Sequence, residues 1–170
     1  GIVRRLLSEY DETFLILAAR SLEKSEQSVS LLLDENKTWK NRLITLKLDV
    51  ELDDSVAEAS EKIHSVFDGI SEPIHCLINN AGVGDSYLSM QRVLDVNTWG
   101  VKRVCEAFLP LISKKQGRIV NVTSASGPNF VAKCEANFKY ILTNPNVTWP
   151  EIEVLMYESL IKNIKEPGSI

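Results

Sequence analysis

The chain has 170 residues, of which 44% are apolar, and a formal net charge of −4. This is the size and composition of a single globular domain, and the chain is not basic enough to suggest a nucleic-acid-binding protein. No apolar run reaches the roughly 18 residues of a membrane span, and the first residues have no signal-peptide core, so we expect a cytoplasmic protein without a membrane segment.

The chain begins with a helix pattern followed by a strand pattern, and this alternation is repeated. Residues 1–12 are amphipathic with a helical period, and the apolar residues 14–19 form a strand that ends at Arg20. Ser21 is suited to cap a second helix. Residues 43–48 then form a second strand, which ends at an aspartate and is followed by a third helix whose first turn contains two further aspartates.

Residues 74–82, with the sequence IHCLINNAG, are the stretch around which the rest of the chain is organised. Their apolar half is typical of a strand buried on both faces of a sheet. It leads directly into an Asn-Asn-Ala-Gly turn, whose amides donate and accept hydrogen bonds and whose glycine lets a ligand pass close to the backbone. In open α/β sheets, ligands bind at this end of the strands.

A long helix is predicted over residues 86–114, and one polar residue lies on its inward, apolar stripe. Asn97 falls between Val93 and Val101 on that stripe. A buried amide must be hydrogen-bonded, because leaving it unsatisfied costs roughly 1–3 kcal/mol. The pattern leaves two interpretations open: a core asparagine that contacts a neighbouring backbone carbonyl, or one that orients a water or a catalytic side chain.

The fourth strand, residues 118–122, runs into the sequence Thr-Ser-Ala-Ser-Gly, and only helical patterns follow it, over residues 130–143 and 151–164. Four alternations of helix and strand with short connections predict an α/β fold with a doubly wound, mainly parallel sheet. We assign residues 1–127 to this partial Rossmann-type domain and residues 128–170 to a helical insertion of the same domain.

Each predicted strand ends in a polar residue of different chemistry. The four are Arg20, Asp49, Asn79 and Ser124. Parallel strands place these ends at one edge of the sheet, so the four residues predict a site there. The alternative is that they are turn and cap formers, since polar residues are expected where strands end in loops.

The three cysteines do not predict a metal site. Cys76, Cys105 and Cys134 lack the spacing of metal ligands. Two of them lie within apolar patterns, which is typical of cysteines that act as small core residues. We therefore expect buried thiols.

Three motifs resemble those of the short-chain dehydrogenase/reductase family, in the same order: LINNAG, VLDVNTWG and GRIVNVTSASG. The resemblance extends over residues 1–127, where LAARS and LDV are similar to the ends of the family's second and third strands. The helical excursion after the serine strand most resembles the monomeric carbonyl reductase branch. The resemblance implies an oxidoreductase that acts on carbonyl or hydroxyl groups with a nicotinamide cofactor.

The resemblance assigns catalytic roles to two residues. Ser124 matches the family's catalytic serine, which holds the substrate carbonyl oxygen. Asn97 matches the asparagine that keeps a proton-relay water and a lysine in place.

The resemblance also assigns the cofactor side. Asp49 is expected to contact adenine by its side chain and Val50 by its backbone. Arg20 stands where an NAD enzyme usually carries an acid for the ribose hydroxyls, so it is expected to face a 2′-phosphate, which implies NADP(H). A solvated arginine at the start of a helix is the alternative. The other matched positions line the adenosine side and stabilise the central strand: Asn79, Ala81 and Gly82.

Two parts of the family pattern are missing from the sequence. The family's first strand and glycine loop precede the helix with which this chain opens, and no phosphate-binding glycine is assigned here. The catalytic YxxxK is also missing, since neither Tyr140 nor Tyr157 is followed by a lysine four residues later. Tyr157 is expected to be a packing residue. We therefore expect an internal segment of a longer protein, inactive alone, with the place of the first strand left open at the sheet centre.

Three functions are considered. The leading one is NADPH-dependent reduction of small carbonyl compounds, such as aldehydes, ketones or quinones, by the full-length protein. The alternative is a catalytically inactive relative that keeps nucleotide binding or serves as an interaction domain. A Rossmann methyltransferase fits poorly, because its second strand usually ends in an acid where this chain has Arg20.

The carbonyl reductase branch also implies a monomer. In the wider family, the long helix at residues 86–114 packs against its copy in a partner subunit, whereas this branch covers that surface with its own insertion. We expect a monomeric full-length protein, with insertion residues packed on the helix that carries Val104 and Phe108. The candidates are Phe138, Trp149, Leu155 and Leu160.

Overall fold

The computed structural model describes residues 1–84 and 88–165. The helices are α1 (Ile2–Glu9), α2 (Leu22–Glu35), α3 (Asp53–Val66), α4 (Met90–Leu94), α5 (Val101–Phe108), α6 (Ser126–Lys133), α7 (Ala136–Thr143) and α8 (Trp149–Lys165). The strands are β1 (Leu15–Ala19), β2 (Leu43–Lys47), β3 (Cys76–Asn79) and β4 (Arg118–Asn121). A π-helical stretch (Asp95–Gly100) joins α4 to α5, and short 3-10 helices precede β2 (Lys37–Arg42) and follow α5 (Leu109–Leu111). None of the described helices is both long and apolar enough to cross a membrane.

The strands pair as two parallel, two-stranded sheets. β1 pairs with β2 along its whole length, and β3 pairs with β4 in the same way. Among the described strands, no backbone pairing joins one sheet to the other. The alternation of helices with parallel strands confirms the predicted partial Rossmann-type fold. The lack of pairing between the two sheets agrees with an open position at the sheet centre.

Two apolar cores hold the layers together. The first lies between the sheets and the helices α3 and α5, and Ile16 of β1 and Leu77 of β3 both pack against it. Its buried members are Leu46, Val56, Ala59, Ile63, Val104, Phe108 and Leu111. The second core lies under α1 and α2 and is built on Leu7, Trp39 and Leu43. Because residues from both sheets pack on the first core, α3 and α5 connect the two sheets.

Local sequence explains where several helices begin. The Ser21 side chain accepts the backbone N–H three residues later at 3.3 Å, which caps α2 as predicted. Asp53 lies in the first turn of α3, where a negative charge favours the helix. Glu151 makes the return half of a capping box at α8, since its carboxylate accepts the Thr148 N–H at 2.7 Å and also the Thr148 hydroxyl at 2.6 Å. These two hydrogen bonds hold the pKa of Glu151 below its usual value, and the bond from the Thr148 hydroxyl has the larger effect.

The long helix predicted over residues 86–114 is not continuous. It is described from Met90, and the predicted start at Ser86 lies outside the described residues. The α-helical hydrogen bonding gives way to a π-helical stretch, which places an extra residue in the turn and rotates everything after it. The buried stripe therefore runs through Val96, Gly100, Val104 and Phe108.

The burial predicted for the third strand and for the cysteines is wrong. Cys76 at the start of β3 is exposed and the other three residues of that strand are only half-buried, while every residue of the neighbouring β4 is exposed. Cys105 and Cys134 are half-buried. The physical reason is that β4 lies at the edge of its sheet and none of the described helices buries its faces.

The helix predicted over residues 130–143 is divided into two. It begins earlier than predicted, at Ser126, and α6 ends where Cys134 adopts an extended backbone with ψ 151°. Glu135 is also extended, with ψ 157°, and precedes α7. Two consecutive extended residues cannot continue a helix, so α6 and α7 are separate helices.

Helix α8 packs against the α4–α5 segment through aromatic contacts. The ammonium of Lys102 lies 5.1 Å from the ring centroid of Trp149, within the range of a cation–π contact. The rings of Trp99 and Tyr157 have centroids 6.0 Å apart. The first contact confirms that Trp149 meets the helix carrying Val104, and Tyr157 contacts Trp99 with one side of its ring while remaining 56% exposed.

Two other insertion residues were expected to pack on the helix that carries Val104. They lie instead between two helices of the insertion. Phe138 and Leu155 line a cavity of about 280 Å³ between α7 and α8. The side chain of Leu160 lies outside the described part of the chain.

Candidate functional site

The loops after β2 and β3 both meet the π-helical stretch. Val50, in the loop after β2, packs so closely on Gly100 that a Cβ added there would lie 3.0 Å from Val50 Cγ2. Asn97, one turn away, contacts the loop after β3: its Oδ1 accepts the N–H of Val83 at 2.9 Å, and its Nδ2 donates to the C=O of Val83 at 2.8 Å. The carboxyl ends of β2 and β3 therefore lie on the same side of the molecule.

Asn97 is exposed, so the prediction of a buried amide is wrong. The physical reason is the π-helical stretch, which turns Asn97 away from the buried stripe. Its amide instead pairs with both backbone groups of Val83, as a neighbouring strand would, and the Cβ position of Gly82 lies 3.5 Å from its Oδ1. The contact with a backbone carbonyl is observed, and a role in orienting a water or a catalytic side chain stays a prediction.

Asn79 links the ends of β3 and β4. Its Nδ2 donates to Oδ1 of Asn121, the residue opposite it in the parallel register, at 2.8 Å and lies 3.2 Å from Sγ of Cys105. The Asn79 amide is thus engaged within the protein and stabilises the strand pair. Beyond it, Ala81 and Gly82 are exposed and have little or no side chain, so the surface there is open to a ligand.

The loop after β2 is a tight turn built on Asp49. Its N–H donates to Oγ of Ser55 at 2.9 Å, its Oδ1 accepts the N–H of Glu51 at 3.1 Å, and its C=O accepts the N–H of Leu52 at 3.2 Å. Within the described part of the chain, neither Oδ2 of Asp49 nor the N–H of Val50 has a hydrogen-bond partner. These two groups, an acceptor and a donor side by side, are available to a ligand.

Arg20 follows β1 directly and precedes Ser21, the cap of α2. Its side chain is exposed, and it forms no ion pair with the residues that the structure describes. The pairing of β1 with β2 places it at the same strand end as Asp49. A free guanidinium in this position is suited to bind an anion.

Ser124 lies just beyond β4, in the turn that begins α6. Its Oγ accepts the N–H of Ser126 at 3.1 Å and donates to the hydroxyl of Ser126, also at 3.1 Å. It therefore forms a turn, as the alternative interpretation of the strand ends expected. The residue is exposed, and a hydroxyl that now donates to another hydroxyl can donate to a substrate carbonyl instead.

Sequence reasoning missed three residues that shape this edge. Arg103 donates from Nη1 to the C=O of Val50 at 2.5 Å and pairs through Nε with Asp53. No local pattern signals these contacts, because the partners lie 50 and 53 residues earlier in the chain. Gly100 and Asn121 had a signal, since both fall inside the family motifs. No cluster of three or more metal-ligating side chains occurs among the described residues.

Comparison with known proteins agrees with this arrangement. A family profile described as short chain dehydrogenase matches residues 1–136. The chain is 36% identical to D-beta-hydroxybutyrate dehydrogenase, mitochondrial, of Bos taurus over 125 residues, which are 69% of this chain and 36% of that protein. It is 36% identical over 126 residues to the NADPH-dependent 1-acyldihydroxyacetone phosphate reductase of Schizosaccharomyces pombe, covering 69% of this chain and 38% of that protein. It is 26% identical over 149 residues to the NADPH carbonyl reductase 1 of Mus musculus, covering 84% and 50%.

Solved structures show the same fold. Menthone neomenthol reductase from Mentha piperita superposes with a TM-score of 0.81 at 21% identity, over 96% of this chain and 69% of that one. ElxO with NADP bound gives 0.60 at 22% identity, over 75% and 52%. The chain spans about a third to a half of the three curated relatives above, which come from several branches of one family. Because the profile covers most of the chain and a relative above 30% identity covers two thirds of it, the chain belongs to the short-chain dehydrogenase family.

Proposed function

We propose that the protein carrying this chain is an NADPH-dependent oxidoreductase that reduces small carbonyl compounds to alcohols. The observation that carries the proposal is the pair of free groups in the turn after β2, Oδ2 of Asp49 and the N–H of Val50. They lie beside the helix whose Asn97 holds the loop after β3. The carbonyl reductase branch is one of several represented among the relatives, so the branch is part of the proposal.

The residues present fit the adenosine half of a nicotinamide cofactor. The carboxylate of Asp49 accepts a hydrogen bond from an exocyclic amino group, and the N–H of Val50 donates to a ring nitrogen. Ala81 and Gly82 leave room for the base and ribose, because neither has a side chain beyond Cβ. Arg20 supplies a free guanidinium for a 2′-phosphate at the same edge.

In this reaction Ser124 contacts the substrate. The bound cofactor supplies the hydride, and the Ser124 hydroxyl donates a hydrogen bond to the carbonyl oxygen on which negative charge develops. Asn97 fixes the loop after β3 through its two hydrogen bonds to Val83. The group that protonates the oxygen is not assigned among these residues.

The cofactor proposal is tested at Arg20. Replacing Arg20 with Asp is expected to lower the ratio of kcat/KM with NADPH to that with NADH by about ten- to a hundredfold, since one charge-assisted contact contributes roughly 1.5–3 kcal/mol. The assay follows cofactor absorbance with a reactive quinone, in the protein with its natural flanking sequence.

The control is Arg118→Asp, which makes the same charge change at the amino-terminal end of β4. An unchanged ratio in Arg20→Asp would show that Arg20 does not read the 2′-phosphate. Binding of NADPH without turnover of any aldehyde, ketone or quinone would instead favour the catalytically inactive relative.

We further propose that the full-length protein is a monomer. Helix α8 covers the α4–α5 segment through the contacts of Trp149 with Lys102 and of Tyr157 with Trp99, which supports this. Light scattering is expected to give the mass of one chain, and the mass of a tetramer would contradict the proposal. The cytoplasmic location stays a prediction.

A further inference from the structure

Two arginines of the α4–α5 segment reach the turn after β2. Arg103 donates from Nη1 to the C=O of Val50 at 2.5 Å and pairs with the carboxylate of Asp53. Arg92 lies 3.4 Å from the carboxylate of Glu51. The Arg103 side chain is 23% exposed and that of Arg92 is 45% exposed, so solvent screens the contacts of Arg103 less.

The peptide group between Val50 and Glu51 is held at both ends. Its C=O accepts from Arg103, and its N–H donates to Oδ1 of Asp49 at 3.1 Å. One rigid peptide plane thus connects the guanidinium to the carboxylate, so Arg103 fixes the orientation of the Asp49 side chain without touching it. A charged donor on the C=O also polarises the peptide and strengthens its N–H as a donor.

The side chain of Val50 provides a second contact between the turn after β2 and the helical segment. It rests on Gly100, where an added Cβ would lie 3.0 Å from Val50 Cγ2 and 3.0 Å from the backbone oxygen of Asp95. The turn is therefore seated on the helix by packing and held there by Arg103. The packing of Val50 and the hydrogen bond of Arg103 together determine the direction in which the unpaired Oδ2 of Asp49 points.

We propose that Arg103 is a positioning residue that sets how well the turn after β2 distinguishes adenine from other purines. This inference rests on the proposed function, because it concerns the adenine of the cofactor. The free oxygen of the Asp49 carboxylate accepts from the exocyclic amino group of adenine. Hypoxanthine has a carbonyl oxygen at that position, so a carboxylate in the right orientation disfavours it. Arg103 contacts neither base nor substrate.

The test compares NADPH with its hypoxanthine analogue by calorimetry, in the protein with its natural flanking sequence. The unaltered protein is expected to bind NADPH more tightly. Arg103→Gln is expected to weaken NADPH binding about tenfold, the size of one hydrogen bond to a charged group, and analogue binding by less than about twofold. Arg103→Lys keeps the charge and one donor, so it is expected to restore part of the preference.

The control is Arg92→Gln, which removes a contact to the same turn but to the side chain of Glu51 only. It is expected to leave both affinities within about twofold of the unaltered protein. If the Arg103→Gln variant does not fold, as judged by its melting temperature, Arg103→Lys alone decides, with an expected loss of about threefold for NADPH only.

An equal loss for both ligands in the Arg103 variants would overturn the inference, because a merely structural role weakens both. An equal effect of Arg92→Gln would overturn it too. If the unaltered protein binds NADPH but shows no preference over the analogue, the inference fails and the proposed function stands. If it binds neither ligand, the proposed function itself fails.

Discussion

Replacing Ser124 with Ala is expected to lower kcat for carbonyl reduction by about a hundred- to a thousandfold, while NADPH binds as before. The hydroxyl is the group assigned to the carbonyl oxygen, and removing one such donor has an effect of this size because it acts where charge develops. The measurement follows NADPH absorbance with a saturating quinone, and calorimetry reports cofactor affinity separately.

The matched control for Ser124 is Ser126→Ala. Ser126 is the residue to which the Ser124 hydroxyl donates in the free protein, so its side chain shares the local hydrogen bonding without the assigned role. We expect this variant to keep kcat within a few-fold, since the backbone N–H of Ser126 still supports Oγ of Ser124. If Ser124→Ala keeps more than about a third of the activity, or Ser126→Ala loses as much, the serine assignment is wrong.

Replacing Arg42 with Met is expected to lower the free energy of unfolding by about 2–4 kcal/mol. The Arg42 guanidinium donates to the backbone carbonyls of Thr13 at 3.1 Å, Leu7 at 3.3 Å and Tyr10. Two of these carbonyls belong to the last turn of α1 and its cap, which have no partner within the helix. The Arg42 side chain is 18% exposed and its bonds to Thr13 and Leu7 are partly buried, so water replaces those two bonds poorly, whereas the bond to Tyr10 lies at the surface.

Urea unfolding followed by circular dichroism measures the effect of Arg42→Met. The control is Arg5→Met on α1, whose side chain is 79% exposed and pairs with Glu9 one turn away, a contact that contributes about 0.3–0.5 kcal/mol. Arg42→Lys is also expected to be destabilised, because one ammonium cannot reach three carbonyls in different directions. A difference of less than about 1 kcal/mol between Arg42→Met and Arg5→Met would show that the three bonds add little stability.

The elements that sequence reasoning located correctly are those with local signals. Ser21 marked the start of α2 by its capping side chain, and Asp53 marked the start of α3 by its charge. The apolar runs that ended in Arg20 and Asn79 are strands because short apolar runs bounded by polar turns have few other stable arrangements. The family was also recognisable from three short motifs, because each motif contains a residue of the candidate site: Asn79, Asn97 or Ser124.

The features that sequence reasoning missed depend on non-local geometry or on a departure from ideal helix period. Asn97 was placed on a buried stripe by counting 3.6 residues per turn, and a single π-helical stretch moves it to the surface. The contacts of Arg42 and Arg103 are with backbone carbonyls far away in sequence, and a carbonyl has no residue type that a pattern can reveal. The exposure of β4 depends on what covers it, which no property of the strand itself determines.

The division of the strands into two separately hydrogen-bonded sheets has a consequence for how the molecule opens. No backbone hydrogen bond crosses from one described sheet to the other, so melting the pair β3–β4 leaves every ladder bond of β1–β2 intact. The two pairs are joined by the side chains that pack against α3 and α5, and by the contacts of Arg103 with the loop after β2 and of Asn97 with the loop after β3. We therefore expect amide hydrogen exchange to reveal two cooperative units, one formed by residues 15–47 and one spanning residues 76–121, with the apolar packing between them setting how often both open together.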